Sequence, residues 1–205
     1  MISNKAGKRK TFKAKRRQSK KLPLAIGLLA IIIVVIAAIY MFSTNNQPSG
    51  NKVLLKTSMG DITIQLRDDK PVTTGNFKSL VQQGFYDGVI FHRVIAGFMI
   101  QGGFNSHVQV ATIADEIGME NHNYRGTIAM AKTSQPNSAT SQFFINVVNN
   151  NEKVYQDGTK FDETYTVFGA VVSGMDVVDD ISNVETDSGD KPIADVTIIK
   201  AEIVS

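Results

Sequence analysis

The chain has 205 residues, 42% of them hydrophobic, and a formal charge of +3; it holds enough apolar material for one sizeable core and too little excess charge for an unfolded polymer. It has no cysteine, which excludes disulfides, a thiol nucleophile and cysteine-based metal sites. The small net charge conceals two opposite characters: ten cations lie within residues 5–21 and the first acid is Asp61, so removing those ten from 22 leaves 12 cations against 19 acids, or −7, for the remainder.

In chain order, residues 1–21 read as a solvated basic tail. Residues 22–42, LPLAIGLLAIIIVVIAAIYMF, carry no charge and as a helix span about 31 Å, the hydrocarbon thickness of a bilayer. A transmembrane helix is therefore expected. The run is longer than the apolar core of a secretory signal and ends without a small-x-small site, so it is read as an uncleaved anchor. With the cations on its amino side, the positive-inside rule puts the tail in the cytoplasm and the rest outside the cell membrane. Beside such a span the tail suits anionic lipid, and no nucleic-acid partner is expected. Residues 43–51, STNNQPSGN, form a polar linker, leaving 52–205 as one domain.

Within that domain, period-two alternation predicts strands. Val53 to Leu55 and the inward trio Ile62, Ile64 and Leu66 flank the turn SMGD as a hairpin. Further strand candidates are 89–94, 98–101, 127–131, 142–147, 166–171 and 196–204. Two stretches have helical spacing instead: Phe77, Leu80 and Val81 within 74–83, stopped by Gly84, and Met175, Val178 and Ile181 after Gly174. The expectation is a mainly-β domain, an eight-stranded antiparallel closed β-barrel capped by two helices, with an open sandwich as the alternative.

Two stretches carry polar residues where a core strand needs none. In FHRVIAGFMIQGG, residues 91–103, a bend at Ile95–Gly97 folds Arg93 toward Gln101; both share parity with Met99 and adjoin Phe98, giving an amphipathic pocket lining. In GTIAMAKTSQPNSATSQFFIN, residues 126–146, Gln142 and Phe144 fall on one strand face and Phe143 on the other. His92, His107 and His122 lack metal-ligand spacing; His92 is read as a satisfied core histidine. Glu116 and Glu120 are read as part of a solvated turn.

FHRVIAGFMIQGG, RGTIAMAKT, PNSATSQFFINV and TVFGAVVSGMDVVD, in this order and spacing, resemble the cyclophilin family of peptidyl-prolyl cis-trans isomerases over residues 52–204. The resemblance implies the capped eight-stranded barrel, an active groove on its outer face, and rotation of X-Pro bonds without metal or cofactor. It assigns catalysis to Arg93, Gln101, Phe98 and Met99. Substrate binding falls to Ala131, the main chain at Lys132, Gln142, Phe144 and Tyr165. The implied partners are proline-containing unfolded or exported polypeptides; the alternative is a catalytically weak chaperone or scaffold module. Residues 148–164 depart from the family: Glu152 stands where a large apolar residue is usual, and Val154, Tyr155 and Phe161 are the candidates to replace that wall.

Overall fold

The computed structural model describes residues 50–118 and 120–205. The basic tail, the transmembrane helix expected over 22–42 and nearly all of the linker lie outside the described residues. Among the described residues no helix is long and apolar enough to cross a membrane.

The first hairpin follows its side-chain pattern. β1 (Lys52–Thr57) and β2 (Gly60–Leu66) pair from Lys52 opposite Gln65 to Thr57 opposite Gly60. Val53, Leu55, Ile62 and Ile64 are fully buried, while the residues between them are less so. Thr57 Oγ1 closes the turn, accepting from Met59 N at 3.1 Å and donating to the Gly60 carbonyl at 2.6 Å.

Helix α1 (Pro71–Gln82) starts three residues earlier than its apolar spacing suggests. Proline suits a first helical turn, where its missing N–H is no loss. The other free N–H groups are met from afar: the Glu116 carboxylate accepts from Val72 N, Thr73 N and Thr73 Oγ1 at 3.1, 2.8 and 2.6 Å. Glu116 is thus a helix cap rather than part of a solvated turn. Phe77, Leu80 and Val81 of α1 are buried as the spacing predicts.

The remaining elements are β3 (Val89–Ile90), β4 (Arg93–Ile95), β5 (Met99–Gly102), β6 (Thr127–Met130), β7 (Phe143–Asn146), β8 (Val167–Ser173), α2 (Met175–Ser182) and β9 (Thr197–Val204). Before α2, Gly174 has φ +83, and a Cβ there would lie 2.1 Å from the Asp61 carbonyl, so only glycine fits this junction.

All nine strands make one curled antiparallel sheet in the order β3-β9-β1-β2-β8-β6-β7-β5-β4. This corrects the expectation of eight strands in a closed ladder. The run expected over 89–94 is broken at Phe91 and His92 because its two halves serve different partners: β3 pairs with β9, and β4 pairs with β5. The two sheet edges are therefore joined by the chain itself.

One face of the sheet encloses the main core with α1 and α2. Phe77, Tyr86, Phe91, Phe143 and Phe168 meet there, with ring centroids 5.0–6.2 Å apart. The Tyr86 hydroxyl donates to the Ser141 carbonyl at 2.9 Å, which supplies the partner its burial demands.

Candidate active site

The site lies on the other face. Register places Arg93 opposite Gln101 and Ile95 opposite Met99 across β4 and β5; β7 then sets Phe144 beside Gln101. Because successive side chains alternate, Val94, Ile100 and Phe143 enter the main core while Arg93, Met99, Gln101 and Phe144 project outward. Gly97 supports the bend with φ +69, and Phe98 N closes it onto the Ile95 carbonyl at 3.1 Å.

Outward does not mean exposed. Met99, Ala129, Phe144, Phe161 and Val167 form a second buried apolar cluster, with Phe98, Ala131 and Tyr165 packed against it. Above it is a hollow of about 380 Å³ lined by Arg93, Phe98, Met99, Gln101, Ala131, Lys132, Phe144 and Tyr165. These are eight of the nine residues expected at the site. The ninth, Gln142, is joined to them by its Oε1, which accepts from Gln101 Nε2 at 3.0 Å.

Arg93 is half-exposed at the edge of this hollow. Its Nε donates to Asp190 Oδ2 at 3.2 Å, and no other protein acceptor among the described residues takes its guanidinium. Asp190 has φ +66, and its carbonyl accepts from Val94 N at 2.8 Å. The turn that carries it is stiffened by the Asp187 carboxylate, which accepts from Gly189 N and Lys191 N. Sequence reasoning missed Asp190 because it is remote in the chain and sits among ordinary turn residues.

His92 is not a satisfied core histidine: it is half-buried, and its buried Nδ1 lacks a hydrogen-bond partner among the described residues. Burial, and then the charge of Arg93, hold its ring below the usual histidine pKa.

The wall left open by Glu152 is built by aromatic residues further along. Phe161, in the 3-10 turn Phe161–Glu163, is buried and centres 4.7 Å from Tyr165 and 5.7 Å from both Phe98 and Phe144. Tyr155 stacks on Phe161 at 6.0 Å and donates its hydroxyl to Tyr165 Oη at 2.9 Å. Burial, reinforced by that bond, pushes the Tyr155 phenol above its usual range. Val154 is exposed and takes no part. Lys153 lies over Phe98, its Nζ 3.6 Å from the ring centroid.

Polar side chains hold this wall in place. Asn121 Nδ2 donates to the Asp162 and Tyr165 carbonyls at 2.6 and 2.8 Å, and Asn123 N donates to Asp162 Oδ1 at 2.7 Å. Asn150 Nδ2 reaches both the Phe98 carbonyl and Asn146 Oδ1, at 2.9 and 2.8 Å. Loop and sheet are thus tied by buried amides with satisfied geometry.

Lys132 lines the hollow, and its largely buried ammonium pairs with Asp115. Ala131 N donates to the Gln142 carbonyl at 2.9 Å, fixing this edge beside β7. A second hollow of about 620 Å³ shares Lys132, Tyr155 and Tyr165 with the first and extends over Thr133, Ser134 and Asp157.

Residues 52–203 match the sequence model of the family described as "Cyclophilin type peptidyl-prolyl cis-trans isomerase/CLD". The chain belongs to the cyclophilin family. A peptidyl-prolyl cis-trans isomerase of Acinetobacter baylyi is 47% identical over 163 residues, 75% of this chain and 85% of its own length. Peptidyl-prolyl cis-trans isomerase B of Escherichia coli is 47% identical over 140 residues, 65% of this chain and 85% of that one. Among solved structures, a cyclophilin-type isomerase of Cryptosporidium parvum aligns with TM-score 0.66 and 29% identity, covering 76% of this chain and 98% of that one. The activity of this chain is peptidyl-prolyl cis-trans isomerisation.

Proposed function

We propose that the hollow between Arg93, Met99 and Phe144 seats the proline ring and that Arg93 assists rotation of the preceding peptide bond. The barrier to this rotation, about 18–20 kcal/mol, comes from amide resonance, so the reaction breaks no bond and requires no nucleophile, metal or general base. Twisting localises the lone pair of the prolyl nitrogen. A guanidinium N–H can donate to that lone pair, which the flat ground state does not offer, so the interaction favours the transition state selectively. Phe98, Met99, Phe144 and Tyr165 keep the ring dry, while Gln101, Gln142 and the main chain at Ala131 and Lys132 hold one side of the peptide as the other turns.

The single observation that carries this reading is the tether of Arg93: its Nε is held by Asp190, and the residue lines the hollow. A donor fixed before substrate arrives needs no reorganisation during the twist. A further support is a relative in the fold comparison, the Cryptosporidium parvum isomerase solved in the presence of the dipeptide Ala-Pro, at 30% identity and TM-score 0.65.

Exchange spectroscopy on a proline peptide tests the role of Arg93. Arg93→Ala should lower the catalysed exchange rate by about 10²–10³-fold, the range for removal of one transition-state donor, with a much smaller change in peptide affinity. An undiminished rate removes Arg93 from the mechanism.

We propose further that residues 22–42 tether the domain to the cell membrane, tail inward, so that it acts on exported chains as they fold. The support is the uncharged run of 21 residues behind ten cations. Full-length protein that stays with membranes through alkaline extraction fits an anchor; release in soluble form shortened by the first residues fits a cleaved signal instead.

A further inference from the structure

The proline hollow carries three cations, and two are already paired with acids of the chain. Arg93 meets Asp190 at 3.2 Å, and Lys132 meets Asp115. Lys153, the third, lines the same hollow yet forms no ion pair with any carboxylate among the described residues.

Its position is nevertheless defined. The ammonium rests 3.6 Å from the centroid of Phe98, where the ring's electron-rich face attracts a cation but cannot neutralise it. That attraction offsets the side-chain entropy that a lysine loses on being held. Phe98 is itself packed against Phe161 and against the cluster of Met99 and Phe144, so the charge sits at the lip of the apolar hollow. The acid of the neighbouring hollow, Asp157, is engaged elsewhere, accepting from Thr159 N at 2.9 Å. The result is a positioned cation beside a pocket for proline, lacking its anion.

We infer that Lys153 makes this groove select proline segments that carry a carboxylate within one or two residues of the proline. The inference rests on the reading that the hollow seats the proline ring. An exposed ion pair of this kind gives a modest preference, about 1.5- to 5-fold in affinity, screened by salt. The selected substrates are acidic proline segments, in contrast to basic ones, which Lys153 repels.

The test uses full-length protein and a set of fluorescent peptides in which glutamate occupies, in turn, the two positions before and the two after a single proline. Each peptide is matched by one with glutamine, and binding is read by anisotropy at low and high salt. The expected result is a glutamate advantage of about 1.5- to 5-fold at one position or more, weakened by salt and lost in Lys153→Gln. Equal binding of every glutamate and glutamine pair overturns the inference, as does an advantage that survives Lys153→Gln, which then belongs to Arg93. Exchange spectroscopy on the glutamine peptides is a separate readout. Turnover without a glutamate preference sinks only the role of Lys153, whereas peptides that bind without touching the hollow, judged by unchanged affinity in Phe144→Ala, sink the placement of proline.

Discussion

On the sheet wall of the groove, Arg93, Gln101 and Phe144 owe their places to ladder bonds among β4, β5 and β7. On the facing loop wall, Tyr155, Phe161 and Tyr165 are held by one another's rings and by the amides of Asn121 and Asn150. A ladder repeats its restraint at every residue, so losing one side chain leaves the register standing. The loop wall has no such repetition, and the bonds of Asn121 to Asp162 and Tyr165 and of Asn150 to Phe98 that tie it down reach across 41, 44 and 52 residues of chain. The two walls thus differ in kind: the wall that carries Arg93 is over-determined, and the wall that carries Phe161 depends on single side chains.

The strongest attack on this contrast is Phe161→Ala. A buried ring of this size costs about 3–5 kcal/mol when truncated, readable by chemical denaturation. Hydrogen exchange should show protection lost first over residues 148–165 while β5 and β7 keep theirs; equal loss on both walls would erase the distinction.

Asn150→Ala is milder. It removes the bridge from the loop to the Phe98 carbonyl and to Asn146, and a lost buried amide bond costs about 1–3 kcal/mol. The Phe98 carbonyl keeps a second donor, Val147 N at 3.1 Å, so the sheet wall should hold. The expected outcome is a raised KM with kcat nearly unchanged, measured with the same peptide at several concentrations.

The smallest effect is one of pH, and it sharpens the comparison by acting on the sheet side first. His92, between β3 and β4, has its pKa lowered by burial and by Arg93. The unfolded chain therefore binds the proton more readily, and stability falls as pH drops below about 6.5. On the loop side, Asp157 has its pKa lowered by the backbone and hydroxyl of Thr159; its contribution is present above about pH 3.9 and is lost only as pH falls further. Thermal midpoints measured between pH 7 and 5 should decline, and His92→Gln should flatten that slope.

The same contrast governs how much of the molecule was legible in its sequence. Arg93, Gln101 and Phe144 could be placed together because alternation around Gly97 and along SQFFIN fixes both face and register. Strand limits fell within a residue or two for most candidates for the same reason. The break at Phe91 and His92 left no mark, since no glycine or proline punctuates it; only the change of partner from β9 to β5 creates it. The loop wall was legible as a gap at Glu152 and as a short list of candidates, of which Phe161 and Tyr155 fill it and Val154 does not. What selects them is hydrogen bonding such as that of Asn121 to Asp162, which has no period to read. Glu116 escaped for a related reason: the helix it caps lies more than forty residues away.

The junction at Phe91 and His92 has one more consequence. A long bare sheet margin is a template on which any extended chain can add a strand. Here the margins are only two and three residues long, and Val94 N is already occupied by the Asp190 carbonyl. The turn that holds Arg93 also blunts the margin, so weakening it should invite self-association along that edge.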